Sequence, residues 1–445
     1  MRFRGVVIGV LATLIVSGSP RAQESSVLFE HVSLLPMDSE RVMPEAHVLI
    51  VGRNIVSIGS DNFAGTLPTG AIRVDGRDKF LVPALAEMHA HIPTDAREAE
   101  RVLFLYVANG IGTIRSMLGD PAHFRLRERV MKGEIVGPTM LLGGPSFNGQ
   151  TAPTPAAATA RVNEQKKAGY DFLKIHPGVP RSAFDALAAA ADKARIRFAG
   201  HVPADVGLQR ALDAKYWTID HLDGYVEALT GPRAPESENF GVNLMSHIDE
   251  SRIQALATQT KAAGVWNVPT QILLENWYGP DTPEAMQKWP EMRYADPADV
   301  RQWVATKRDN LASVSAQNRQ RFISVRRRLI KALHDAGAGL LLGSDSPQVW
   351  NVPGFSIHRE LASYVAAGLT PYEALATGTR NVAAHLQPTA IRQMIRPGAQ
   401  ADLVLLDANP LENISNASQI AGVMIRGRWI PKAEIDRRLA QLQSR

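Results

Sequence analysis

Two histidines one residue apart end the apolar run Leu81 to His91, LVPALAEMHAH. On a β-strand successive side chains face opposite sides, so His89 and His91 point the same way and Ala90 turns away between them. Two imidazoles on one face can hold one metal ion. The pair alone is a weak signal, because two of 12 histidines can fall at this spacing as ordinary polar residues. The chain has no cysteine, so disulfides and thiolate ligands are excluded, and any metal must be held by His, Asp, Glu or a modified Lys.

Other residues able to bind metal end later apolar runs: Lys174 in DFLKIH, His201 in IRFAGHV, His221 in YWTIDHL and Asp345 in GLLLGSDS. Singly, each has an ordinary reading. Lys174 could be a snorkelling surface lysine, His201 a helix-capping residue, His221 a satisfied core histidine and Asp345 the N-cap of the next helix. Taken together these readings require independent accidents at the same end of five strands.

The elements that must position these residues follow from the texture of the chain. Arg2 and Arg4, an apolar run from Val6 to Val16 and small or polar residues through Ala22 have the layout of a secretory signal peptide (1–22), too short to span a bilayer comfortably. A secreted or periplasmic protein, with no stable membrane insertion once the signal is removed, is expected. Residues 26–82 read as short antiparallel β-strands separated by Gly, Asn and Asp turns. The segment 387–445 has the same texture in ADLVLLDANP and AGVMIRGRWI, followed by a C-terminal helix, so the two ends are expected to form one small β-sandwich domain. Between them, residues 83–386 alternate short apolar runs with helical stretches: LVPALAEMHAH, IGTIRSM, PTMLLGG, DFLKIH, IRFAGHV, YWTIDHL, VWNVPTQIL and GLLLGSDS. Eight such units predict an α/β fold, a (β/α)8 TIM barrel whose active site lies at the C-terminal ends of the strands. An open doubly wound sheet is the alternative, and no glycine-rich nucleotide fingerprint supports it.

With 445 residues, 45% of them hydrophobic, the chain can bury a large core. Its formal charge is +5, but the basic residues are scattered. The densest cluster, Arg326-Arg327-Arg328, reads as a solvated helix face, so nucleic acid is not an expected partner.

The segments PALAEMHAH, YDFLKIH, AGHV, TIDHL and LLLGSDSP resemble the metal-site segments of the amidohydrolase superfamily, and ADLVLLDANPLENI resembles the C-terminal part of its small β-sandwich. The likeness is closest to the imidazolonepropionase-like branch, which includes metal-dependent dipeptidases. It implies that His89 and His91 hold the more buried of two divalent metal ions with Asp345. His201 and His221 would hold the second ion, and Lys174, carboxylated on its amine, would bridge the two. Neutral imidazoles suit Zn²⁺, and paired cations lower the pKa of a bridging water until hydroxide can attack an amide carbonyl near neutral pH. Asp345 would be the catalytic base that takes its proton and passes it to the leaving amine.

The chain departs from the family at several places. Glu87 stands where an aspartate is usual and is read as a supporting or structural residue. GGPSFNG and Leu222 stand where dipeptidase relatives carry substrate-binding His and Tyr; Tyr225 is the nearby alternative donor. Arg115 could bind a substrate carboxylate or be an ion-paired barrel residue, and His358, with Glu360 in HREL, could orient substrate or cap a helix. The segment 273–321 is long for a barrel connection and brings Trp277, Tyr278, Trp289, Tyr294 and Trp303, which could shape an apolar pocket or pack an accessory hairpin. The resulting expectation is an exported hydrolase of a small-molecule amide, a dipeptide or N-acyl amino acid. Ester, lactone or cyclic-amide hydrolysis on the same site, a mononuclear deaminase-like enzyme and a non-catalytic binding protein are the other readings. Self-association into a homo-oligomer is left open.

Overall fold

The computed structural model describes residues 25–60, 63–386 and 394–443. The expected signal peptide lies outside them. Five strands open the chain: β1 (Ser26–Leu34), β2 (Met43–Val51), β3 (Asn54–Gly59), β4 (Ile72–Asp75) and β5 (Phe80–Pro83). The middle holds β6 (Leu85–Ala90), β7 (Ile111–Ser116), β8 (Thr139–Leu142), β9 (Phe172–Ile175), β10 (Arg197–Gly200), β11 (Thr218–Asp220) and β12 (Trp266–Val268). The chain ends with β13 (Leu403–Leu406), β14 (Ile420–Ile425), β15 (Arg428–Pro431) and a helix, Lys432–Gln441.

The two β-rich ends meet edge to edge. They form one mixed sheet in the order β15-β14-β13-β5-β1-β2-β3, with β4 also paired to β1. β13 pairs antiparallel with β5, Leu403 opposite Pro83 and Leu406 opposite Phe80, and the sheet curls back on itself: Phe29 of β1 and Trp429 of β15, four strands apart in that order, have ring centroids 5.1 Å apart. Strand alternation then gives the sheet two apolar faces. Leu403 and Leu405 join Val27, Phe29, Val48 and Ile50 on one side, while Val404 and Leu406 join Leu35, Val82 and Ala84 on the other. Val423, Ile425 and Ile430 continue onto Phe104, Val107 and Ala108 of the helix Ala96–Ala108, which binds the sheet to the middle of the chain.

The middle is a TIM-barrel-like α/β array. β6, β7 and β8 form one parallel sheet, and β9 to β12 form another. Isolated bridges join Gly143 to Phe172 and Phe147 to Ile175. The expected eighth strand, GLLLGSDS, is not a regular strand. It contributes single bridges, Leu340 to Asn267 and Ser346 to Ala90, and the N–H of Met88 donates to the carbonyl of Leu342 at 2.8 Å. Asp345 has φ +61°, which breaks the extended backbone there. The expected run VWNVPTQIL also divides. Only Trp266–Val268 is strand, and Gln271–Tyr278 is helical. The reason lies at the helix start, where the buried Glu360 carboxylate accepts from the N–H groups of Gln271 (2.9 Å) and Ile272 (2.6 Å). Among the described residues no helix is long and apolar enough to cross a membrane.

Candidate metal centre

The end of β6 and the segment after β12 are tied together by Glu87. This fully buried carboxylate accepts from the N–H of His89 (3.0 Å), the N–H of Ser344 (2.8 Å) and the hydroxyl of Ser344 (2.6 Å). Burial lifts its carboxyl to about 8 against these hydrogen bonds. It positions backbone and leaves His89 and His91 to face Asp345. His91 Nε2 then lies 2.8 Å from Asp345 Oδ1, and His89 Nε2 lies 3.6 Å from the same oxygen. Ligand atoms of these three residues all fall within 4.8 Å of one another, close enough to share one metal ion. Burial keeps the His89 imidazole neutral, as a ligand must be. Burial also opposes ionisation of Asp345, but the polar groups turned toward it, with His91 Nε2 in hydrogen-bond contact, outweigh it and hold the carboxyl well below the ordinary carboxylate range.

His201, just past β10, and His221, just past β11, extend the cluster. Ring centroids are 4.6 Å apart for His89 and His221 and 4.4 Å apart for His221 and His201. His221 has φ +62° and Thr270 has φ +44°. Thr270 Oγ1 and His221 Nδ1 share a 2.8 Å hydrogen bond. With Nδ1 so engaged, Nε2 is the atom left to offer, and it is buried with no hydrogen-bond partner. His201 Nδ1 is held by Asp223 Oδ2 at 2.7 Å.

Lys174 rises from β9 into the same interior. The residue is fully buried, and its Nζ has no hydrogen-bond partner. Burial lowers its pKa, with Asp220 and Asp345 opposing. Gly200 makes room for it: a Cβ there would come within 2.9 Å of Lys174 Cδ and 2.5 Å of the Ile175 carbonyl oxygen, and its φ of +123° suits glycine. An unpaired ammonium in such a place is strongly unfavourable, whereas a neutral amine, or one converted to a carboxylate facing cations, is not. The orphaned Lys174 Nζ and His221 Nε2, beside the His89, His91 and Asp345 group, make a donor set that fits divalent cations.

Sequence reasoning missed the residues that hold this set. Asp220 Oδ2 stands 2.9 Å from His89 Nδ1, and Asp223 and Thr270 fix the other two imidazoles. The spacing in DHLD offered a signal for the two aspartates. Arg326 is a correction. Far from lying on a solvated face, it is fully buried and donates to the carbonyls of His221 (2.7 Å) and Pro269 (3.0 Å) and to Gln271 Oε1 (3.0 Å). His176, at the end of β9, also joins the cluster, its ring 5.2 Å from that of His201.

The residues considered for substrate binding are placed differently. Arg115 is fully buried; its guanidinium pairs with Asp220 at 3.2 Å and donates to the Met88 carbonyl at 2.7 Å, so it is the ion-paired barrel residue. Tyr225 is buried with its hydroxyl 2.8 Å from Thr260 Oγ1, and burial raises its pKa. His358 Nε2 lies 3.2 Å from the Asn109 carbonyl, and burial lowers its pKa to about 4; it fastens two helices instead of facing the histidines. Of the aromatics in 273–321, Trp289 and Trp303 pack on Trp350 at 6.2 and 5.8 Å, and Tyr294 joins the same apolar cluster. Tyr278 packs on Phe322 at 5.5 Å. Trp277 instead leads toward the histidines through Phe240, 5.8 Å away.

The sequence pattern of the amidohydrolase family matches residues 80–430. Among solved structures, a bottromycin amidohydrolase is similar over 96% of this chain and 95% of its own, with 22% identity and a TM-score of 0.72. A Xaa-Pro dipeptidase with methionine bound in its active site matches over 92% of this chain and 100% of its own, at 20% identity and a TM-score of 0.66. The ochratoxinase of A. niger matches over 92% and 96%, at 16% identity and a TM-score of 0.64. No curated protein matches by sequence. The chain belongs to the amidohydrolase family and is a hydrolase of carbon–nitrogen bonds.

Proposed function

We propose that this chain is an exported binuclear metallohydrolase that cleaves the amide bond of a dipeptide or an N-acyl amino acid. The observation that carries the reading is the buried, unpartnered Nζ of Lys174 beside four clustered imidazoles and Asp345. His89, His91 and Asp345 would hold one divalent cation, with Zn²⁺ the natural match to imidazole, and His201 and His221 would hold the second. Lys174 would bridge them after its neutral amine adds to CO₂, forming an N–C bond and releasing one N–H proton to solvent. The two cations, when bound, would activate water and polarise the scissile carbonyl. Asp345 would take the proton of the attacking water at a carboxylate oxygen and deliver it to the leaving amine. Asp220, Asp223 and Thr270 would keep three of the imidazoles turned inward. Export rests on the residues Arg2 to Ala22, and the closing of all eight units into a barrel rests on the bridges made by the segment 339–346.

The test is metal analysis combined with a hydrolysis screen over dipeptides and N-acyl amino acids, with Zn²⁺ and bicarbonate supplied. Two metals per chain and amide turnover are expected, and Lys174→Ala should lose a metal and at least about 100-fold in kcat/KM. A Lys174→Ala protein that kept both metals and full activity would sink the bridging role.

A further inference from the structure

Phe240 stands beside the histidine cluster and has no part in the metal chemistry. It lies in the connection between β11 and β12, within the segment Asn239–His247. Its ring centroid is 5.8 Å from that of His221, with the planes at 61°, and 5.8 Å from that of Trp277, at 66°. Trp277 belongs to the helix Gln271–Tyr278, which follows β12. Two successive connections thus bring aromatic rings to the end of the strands where the candidate ligands sit.

The local backbone serves this placement. Asn239, Phe240 and Gly241 have φ values of +47°, +62° and +82°, a run that a bulky L-residue adopts only when its surroundings impose it. They do so here. The N–H of Glu238 donates to Asn243 Oδ1 at 2.9 Å, and Asn243 Nδ2 donates to the Glu236 carbonyl at 2.8 Å. Val226 stands so close to Gly241 that a Cβ there would meet it at 2.6 Å. The ring held this way is only half-buried, so core packing alone does not account for it. The cluster also has a polar approach, since His91 and His201 keep 21% and 14% of their side-chain surface exposed.

We propose that Phe240 and Trp277 form the apolar wall of a substrate subsite, and that the amide cleaved here carries an aromatic or similarly flat apolar group beside the scissile bond. This rests on the metal-centre reading given above. Aromatic rings prefer tilted or edge-to-face partners at 4.5–7 Å, the geometry the two rings already have with each other, so a third ring can join them and bury its own surface. The competing explanation is that Phe240 only shields His221 from water. A shield acts on every ligand alike, whereas a subsite discriminates by the side group.

Calorimetry on the metal-loaded full-length protein decides between them, with phenylacetohydroxamate and acetohydroxamate as probes. The wild type should bind the phenyl compound at least about tenfold more tightly than the methyl compound. Phe240→Ala should bring that ratio below about threefold, and Phe240→Tyr should keep most of it. Equal binding of both probes by the wild type, or an unchanged ratio in Phe240→Ala, overturns the subsite and leaves the metal centre standing. If neither probe binds the metal-loaded wild type, the subsite falls together with the metal-centre reading.

Discussion

A guanidinium that donates to the carbonyls of His221 and Pro269 ties together the chain just past β11 and the chain just past β12. Arg326 therefore supports two of the histidine cluster's walls from behind. Arg326→Leu leaves those carbonyls and Gln271 Oε1 without their donor, and the expected loss is about 2–5 kcal/mol of stability, measured by urea unfolding. The surface neighbour Arg328 serves as the control, with a change within about 0.5 kcal/mol for Arg328→Leu. His89, His91, Lys174, His201, His221 and Asp345 were legible in the sequence because each ends an apolar run, and the structure does bring them to one place. Arg326 was read wrongly because composition was weighed before helical phase. In the helix Ala316–Asp335 it shares its face with the buried Phe322, Val325, Leu329, Ile330 and Leu333, a spacing the sequence already displayed. Tyr225 and His358 were misplaced for another reason: nearness in sequence to a ligand or a strand end does not say which way a side chain points.

At the scale of elements, one carboxylate decides where a strand stops. Glu360, on the helix Phe355–Ala366, caps the helix Gln271–Tyr278 and turns the run after Val268 from strand into helix. No local pattern in VWNVPTQIL could reveal a cap that comes from a distant helix. Burial, the largest influence, lifts the Glu360 carboxyl from an ordinary 4.5 to about 8. Between those values the folded chain keeps a proton that the unfolded chain has lost, so stability falls as pH rises through this window and levels off above it. The contribution is at most about 5 kcal/mol; Glu87, also lifted to about 8, adds its own slope in the same window, so Glu360→Gln should reduce the pH dependence between 5 and 8 in urea unfolding without abolishing it. A variant whose slope matched the wild type would remove Glu360 as its source. The sheet shows the same limit of local reading. Its strands were visible as alternating runs, but the pairing of β5 with β13, which makes one sheet out of both ends, is set by residues far apart in the chain.

For the whole molecule, that pairing makes the last strands a condition for the first. β5 has β1 on one side and β13 on the other, and Leu81 and Val82 contribute to different faces of the sheet. A chain ending at residue 393 should therefore accumulate as aggregate, with an edge and apolar surface uncovered; comparing soluble with total protein checks it, and a soluble monomer with the full chain's far-UV spectrum would refute it. The α/β alternation of the middle was readable because each unit is local, and the irregular segment 339–346 was not, because its backbone answers to Asp345 and to partners on both sides. The order of synthesis adds a consequence. A ribosome releases β5 long before it releases β13, and at 5–20 residues per second the interval is on the order of tens of seconds. Throughout it Leu81 and Val82 have an open flank, so a companion that shelters nascent strands, or passage to another compartment before folding, would suit the way this sheet must be finished last.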